Sequence, residues 1–229
     1  PKDVSVQSKY LSMMNDLLKQ RKASNPEFKK LVDEFMNRGG LEVVFEAMKT
    51  HPLDGSINLC ALAILANMIT ADNRDAIAAK DTAIVVLNAM RNHTNSVDVQ
   101  ATACEVLCML LNHREQEMIR LIENDGLNQI KLAMRTHLNS VQVQSQAIGV
   151  LMKLASLSQF RNLLQEQKCI DSVLSAAKAH PNSEEIQRMC YLLMMRYPED
   201  ESARKFTRES VYWVGPLPKY FAVFLTNKK

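Results

Sequence analysis

Four copies of one short phrase constrain this chain more than its composition does. Ala47-Met48-Lys49-Thr50-His51, Ala89-Met90-Arg91-Asn92-His93, Ala133-Met134-Arg135-Thr136-His137 and Ala176-Ala177-Lys178-Ala179-His180 set histidines 42, 44 and 43 positions apart. Self-similarity at such a period marks a stacked repeat architecture. Three residues past each histidine stand Asp54, Ser96, Ser140 and Ser183, side chains that accept hydrogen bonds from the free amides at a helix start. Beyond them, apolar or small residues recur at plus six (Ile57, Val99, Val143, Ile186), plus ten (Ala61, Ala103, Ala147, Cys190), plus thirteen (Ile64, Val106, Val150, Leu193) and plus fourteen (Leu65, Leu107, Leu151, Met194). That spacing is one buried stripe of a helix, and the small residue at plus ten admits a close neighbour.

A second amphipathic helix precedes each histidine, carried by Leu41-Val44-Phe45-Met48 in the first unit and Leu127-Ile130-Leu132-Met134 in the third. Shorter apolar clusters ahead of it, such as Met118-Ile119-Leu121-Ile122 and Phe160-Leu163-Leu164, predict a short opening helix. Each unit thus reads as short, middle and long helix. Only 6 glycines and 7 prolines punctuate 229 residues, too few for the tight turns of a sheet-rich domain.

This three-helix unit resembles the armadillo repeat. The resemblance rests on Gly39-Gly40-Leu41 and Asp125-Gly126-Leu127 opening two middle helices, and on Ala63-Ile64-Leu65-Ala66-Asn67-Met68, close to the family's A-L-x-N-L run. It covers roughly residues 25 to 200. The expected fold is therefore all-α, about four armadillo-like repeats with N- and C-terminal caps. The resemblance implies a right-handed superhelical solenoid whose long third helices line a concave, protein-binding groove.

A stacked array leaves an apolar face open at each end, and terminal segments must cover it. Residues 1–24 are expected to supply an N-terminal capping helix, with Tyr10, Leu11, Met14, Leu17 and Leu18 on one face. The repeats then occupy 25–200. Residues 201–229 carry six basic side chains against two acidic ones and six of the chain's 13 aromatics. They read as a C-terminal cap, or as a segment that docks through Trp213 and Tyr220.

Little points to catalysis. The chain has no glycine-rich phosphate loop, no G-x-S-x-G and no H-E-x-x-H, so no catalytic or cofactor-binding residue is assigned and a non-enzymatic role is expected. The histidines lie one repeat apart, too far to share a metal; each is expected to serve its own helix C-terminus, as is the column Lys49, Arg91, Arg135 and Lys178. Cys104 and Cys108 are four apart, but with His113 they fall short of a metal-ligand set. Five cysteines cannot all pair and read as reduced thiols. The longest nearly unbroken apolar run, Leu59 to Ile69, is too short to span a bilayer. The polar opening residues lack the core of a secretory signal. A cytoplasmic or nuclear setting is expected, with protein partners, no membrane and no metal.

In the armadillo family, the asparagine of the A-L-x-N-L run faces the groove and an aromatic sits one turn earlier. The matching positions here are Asn67, Met109, Lys153 and Arg196, preceded by Ala63, Glu105, Gly149 and Leu192. The lack of a tryptophan and asparagine ladder argues against an importin-like receptor for basic peptides. Lys153 and Arg196 instead suggest an acidic protein segment, with Met109 as an adaptable apolar contact. The leading expectation is a scaffold or adaptor. Size also fits a chaperone regulator of the Hsp70 nucleotide-exchange type. Nucleic-acid binding through Arg204, Lys205, Arg208 and Lys219 among the tail aromatics is weaker, since a formal charge of +3 shows no massed basic surface.

Overall fold

The computed structural model describes residues 4–19, 26–112 and 114–210. Among them there are fourteen helices and no strand. After α1 (Val4–Lys19) come four three-helix units: α2 (Pro26–Asn37), α3 (Gly40–Thr50) and α4 (Gly55–Met68); α5 (Arg74–Ala78), α6 (Thr82–Asn92) and α7 (Val97–Leu110); α8 (Glu115–Glu123), α9 (Gly126–Thr136) and α10 (Val141–Leu154); α11 (Ser158–Glu166), α12 (Cys169–Ala179) and α13 (Glu184–Met194). A last helix, α14 (Glu201–Glu209), follows. The molecule is an all-helical solenoid of the expected kind.

The long third helices start where the sequence says they should. Asp54, Ser96, Ser140 and Ser183 accept from the backbone N–H of Ile57, Val99, Val143 and Ile186 at 2.9, 3.3, 3.3 and 3.4 Å. From there α4, α7, α10 and α13 pack in succession, each on the next. Ala61, Ala103, Ala147 and Cys190 are completely buried, as are their neighbours at plus six, thirteen and fourteen to within 1 % exposure. Small side chains at the crossing bring the backbones together, and the longer aliphatic ones fill the space beside them.

Each middle helix is entered through a left-handed residue: Gly39 (φ 75°), Asp81 (55°), Asp125 (61°) and Lys168 (57°). Glycine takes this conformation without strain and aspartate is tolerated; lysine is the least suited. Two further columns hold the joint that follows. Asn58, Gln100, Gln144 and Gln187, all buried at plus seven, donate their side-chain amides to the carbonyls of His51, His93, His137 and His180 at 2.9–3.0 Å. The glutamines also reach the carbonyl three residues before the histidine, at Met90, Met134 and Ala177. Asn58, one methylene shorter, bonds Asp54 O at 2.8 Å instead.

The histidine rings correct the expectation set for them. His93, His137 and His180 do not serve their own helix ends through the ring. Their Nε2 atoms lie 3.0, 2.8 and 2.7 Å from the carbonyls of Pro52, Thr94 and Leu138, each in the preceding repeat. Because a carbonyl only accepts, Nε2 carries the hydrogen. The backbone N–H of each histidine caps its own middle helix, for example His137 to Ala133 O at 3.0 Å. In the basic column Arg91 departs similarly, donating to Asn124 O at 2.5 Å, in the following repeat.

At the N-terminal end α1 packs on α4 and thereby takes the place of a preceding third helix. Leu11 and Asn15 are buried and Met14 half-buried, whereas Tyr10 is 50 % exposed, so it leaves the face predicted for it. The side chains of Leu17 and Leu18 lie outside the described ones. At the other end Asp200 caps α14 by accepting from Ala203 N at 2.8 Å. This helix packs on α12 and α13 through Ala203 and Phe206. Trp213, Tyr220 and the rest of the aromatic tail lie outside the described residues, as does His113.

Candidate interaction face

All eight residues expected to face a groove are half-buried, seven on the third helices and Arg196 just past α13, and they form two adjacent rows. Ala63, Glu105, Gly149 and Leu192 make one; Asn67, Met109, Lys153 and Arg196 make the other. The helical offset of four places the rows side by side on one face of the stack. Gly149 marks its centre. A Cβ placed there would lie 3.5 Å from Cys108 Sγ and 3.8 Å from Met189 Cε, so α7, α10 and α13 meet around a residue without a side chain. Cys108 and Met189 beside it are half-buried, as are Met109 and Met152 on α7 and α10. Thioethers fill irregular gaps and re-pack readily.

The polar members of the second row hold the stack together as well as facing outward. Asn67 Nδ2 donates to Ala63 O at 2.8 Å and to Asn15 Oδ1 of α1 at 3.2 Å. Lys153 Nζ donates to Asn112 Oδ1, just past α7, at 2.7 Å. Arg196 Nη1 donates to Ala155 O, at the end of α10, at 3.1 Å. Asn67 thus reaches back to α1 and the two cations to the ends of the preceding third helices, where a helix C-terminus favours positive charge. Lys153 spends one of three N–H donors this way and Arg196 one of five.

Charge on this face is uneven. Glu105 lies beside Cys108, whose thiol pKa is raised by burial above all, with Lys153 opposing the shift and Glu105 adding to it. Cys104, fully buried beneath, has its thiol pushed up to about 12, chiefly by burial. Such thiols are packing groups rather than nucleophiles. Among the described residues no cluster of three or more histidines, cysteines, aspartates or glutamates is placed to hold a metal. No helix there is long and apolar enough to cross a membrane. Outside this face a cavity of about 610 Å³ lies between α9 and α12 and is rimmed by Lys131, Arg135, Lys168 and Asp171.

The model of the LRRK2 ARM repeat family matches residues 44–214, three quarters of the chain, and so takes in α4, α7, α10 and α13 with their face. The chain belongs to this ARM-repeat family. No curated protein and no solved structure matches it. ARM-repeat solenoids are typically non-catalytic and bind proteins, and the described residues show the features of such a scaffold: serially stacked third helices with a continuous half-exposed face. Periodicity in the sequence aligns the residues of these two rows. It missed Arg161, which donates from Nε to the same Ala155 O at 2.9 Å. No periodic signal marks Arg161, because it lies on the short opening helix.

Proposed function

We propose that this ARM-repeat chain is a non-enzymatic scaffold that holds an extended, acidic protein segment along the face shared by α7, α10 and α13. One observation carries the reading. The two half-buried rows include a side-chain-free notch at Gly149, lined by Cys108 and Met189, and end in the cations of Lys153, one turn on, and Arg196. An extended backbone can approach closely at a glycine, methionines adapt to its side chains, and two anchored cations favour carboxylates. Holding Lys153 and Arg196 against helix ends in the free protein lowers the ordering required on binding.

Pools of extended peptides that differ only in Asp and Glu content test this on the full chain by fluorescence polarisation. The acid-rich pool binds, Glu105→Lys strengthens it, and Lys153→Gln weakens it while keeping a donor for Asn112. Met109→Asp removes binding of every pool. Indifference to acid content, or binding unaltered by both Glu105→Lys and Met109→Asp, overturns the proposal.

A further inference from the structure

Arg161, on α11, and Arg196, just after α13, are 35 positions apart in the chain, yet both donate to one atom. The Ala155 carbonyl at the end of α10 accepts from Arg161 Nε at 2.9 Å and from Arg196 Nη1 at 3.1 Å. A carbonyl oxygen has two lone pairs, so the geometry is satisfiable. The charge is not balanced by it. A helix C-terminus presents only about half a negative charge, which one cation already answers. Neither guanidinium enters an ion pair among the described residues. Both are half-buried, where like charges repel more strongly than in open water.

We propose that Arg161 and Arg196 form a seat for a single oxyanion, a carboxylate or a phosphate, beside the C-terminal end of α10. Planar guanidinium forks match the paired oxygens of these groups, and each retains four N–H donors not spent on Ala155. A neutral acceptor would leave two adjacent positive charges uncompensated. An oxyanion offsets both.

A second observation concerns the residue next to Arg196. Tyr197 is 5 % exposed, and its hydroxyl has no hydrogen-bond partner among the described residues. Its pKa is pushed up to about 12, by burial first and with Cys169 adding, while Arg161 and Arg196 pull the other way. The phenol therefore lies within the field of both guanidiniums. Burial likewise lowers the pKa of Arg196, and Arg161 lowers it further. A buried hydroxyl without an acceptor is uncommon, and an oxyanion is an acceptor.

The seat deepens the scaffold reading and rests on it for its natural ligand. Arg196 ends the row that runs through Asn67, Met109 and Lys153, so the seat would fix one end of a bound segment by an acidic or phosphorylated side chain.

The test uses the whole chain, titrated with inorganic phosphate or with acetate at constant ionic strength against a chloride control. The readouts are the Nε–Hε resonance of Arg161 and Tm. Phosphate, acetate or both shift the resonance and raise Tm; response to acetate marks the carboxylate source, and response to phosphate alone marks the phosphorylated one. Arg196→Gln weakens the apparent affinity about tenfold by the resonance, and Arg161→Gln does so by Tm. If a glutamine variant unfolds, Arg161→Lys and Arg196→Lys keep charge at the helix end and still lose the fork; their Tm response to the anion falls by a similar factor. No response in the wild type, or a full response in both lysine variants, overturns the seat. The acid-rich peptide pool separates the two proposals. Capture that is undiminished by Arg161→Gln discards the seat and leaves the scaffold, whereas an anion response without capture of any pool retains the seat and discards the scaffold.

Discussion

The Nε2 atom of His137 lies 2.8 Å from the carbonyl oxygen of Thr94, 43 residues earlier in the chain. The same bond joins His93 to Pro52 and His180 to Leu138, so one ring in each of the last three repeats fastens it to the repeat before. In the first repeat the buried Nε2 of His51 has no partner among the described residues. The ladder therefore sets up a comparison within one molecule. His137→Phe keeps a ring and removes the donor, and is expected to destabilise the fold by about 1 kcal/mol in urea titration. His51→Phe removes an orphaned nitrogen and is expected to be neutral or mildly stabilising. Equal losses at both positions would assign the histidines to packing rather than to the inter-repeat bond.

Gln144 closes the neighbouring joint by donating to Met134 O at 2.7 Å and His137 O at 3.0 Å while completely buried. Gln144→Leu preserves the volume and strands the Met134 carbonyl, while His137 O keeps its bond from Ser140 N, with an expected loss of about 1–3 kcal/mol by chemical denaturation. The shorter Asn58 keeps the contact to the histidine carbonyl and lacks the one three residues earlier, so Asn58→Ala is the milder lesion.

Lys168 holds a left-handed conformation at φ 57° with its side chain exposed. Lys168→Gly relieves the backbone at the site where Gly39 stands in the first repeat, and should raise stability by roughly 0.5 kcal/mol, set against glycine's greater freedom when unfolded. Lys168→Asn avoids most of that entropic loss and should gain at least as much. A fall in Tm for both would show that lysine's side chain matters more there than its backbone.

Glu117 is 6 % exposed, and its Oε2 has no partner, although Oε1 accepts from Arg120 Nη1 at 3.2 Å. Its pKa is raised, by burial foremost, against the opposing pull of Arg120 and Arg114. A carboxyl whose pKa is higher folded than unfolded favours folding when protonated. Its contribution is therefore greatest at low pH and declines as pH climbs from the ordinary glutamate range through the raised value. Glu117→Gln should remove that slope and raise Tm at neutral pH. A Tm difference that does not vary with pH would reject the assignment.

Gly149 lies in the middle of α10, where alanine would add helix propensity worth about 0.5–1 kcal/mol. A Cβ there meets only ordinary contacts at 3.5 and 3.8 Å. Gly149→Ala should thus stabilise the protein while weakening capture of the acid-rich peptide pool, because it fills the notch. Gain in both properties would separate the notch from binding.

The elements that could be read directly were those whose cause lies within one repeat. Ser96, Ser140 and Ser183 were identifiable as caps because the amides they satisfy stand three residues on. The minus-twelve and plus-seven columns were present in the same register: Asp125 and Lys168 share a position with Gly39, and Gln100, Gln144 and Gln187 share another. Their meaning depended on backbone φ and on where a buried amide could point, which residue type does not declare. Tyr10 shows the converse: an aromatic on an amphipathic helix reads as inward-facing, yet α1 packs on α4 through Leu11 and Asn15 and leaves Tyr10 exposed.

By itself the sequence determined the period, the helix starts and the buried columns, because hydrogen bonding over three or four residues and the angular repeat of a helix are local properties. It also placed Asn67, Met109, Lys153 and Arg196 on a common row. Only the tertiary structure decided that Lys153 reaches Asn112, that His137 reaches Thr94, and that Arg161 and Arg196 share the Ala155 carbonyl. Those pairings are fixed by the offset and rotation between successive repeats, which arise from the packing of whole helices and are written in no single stretch of chain.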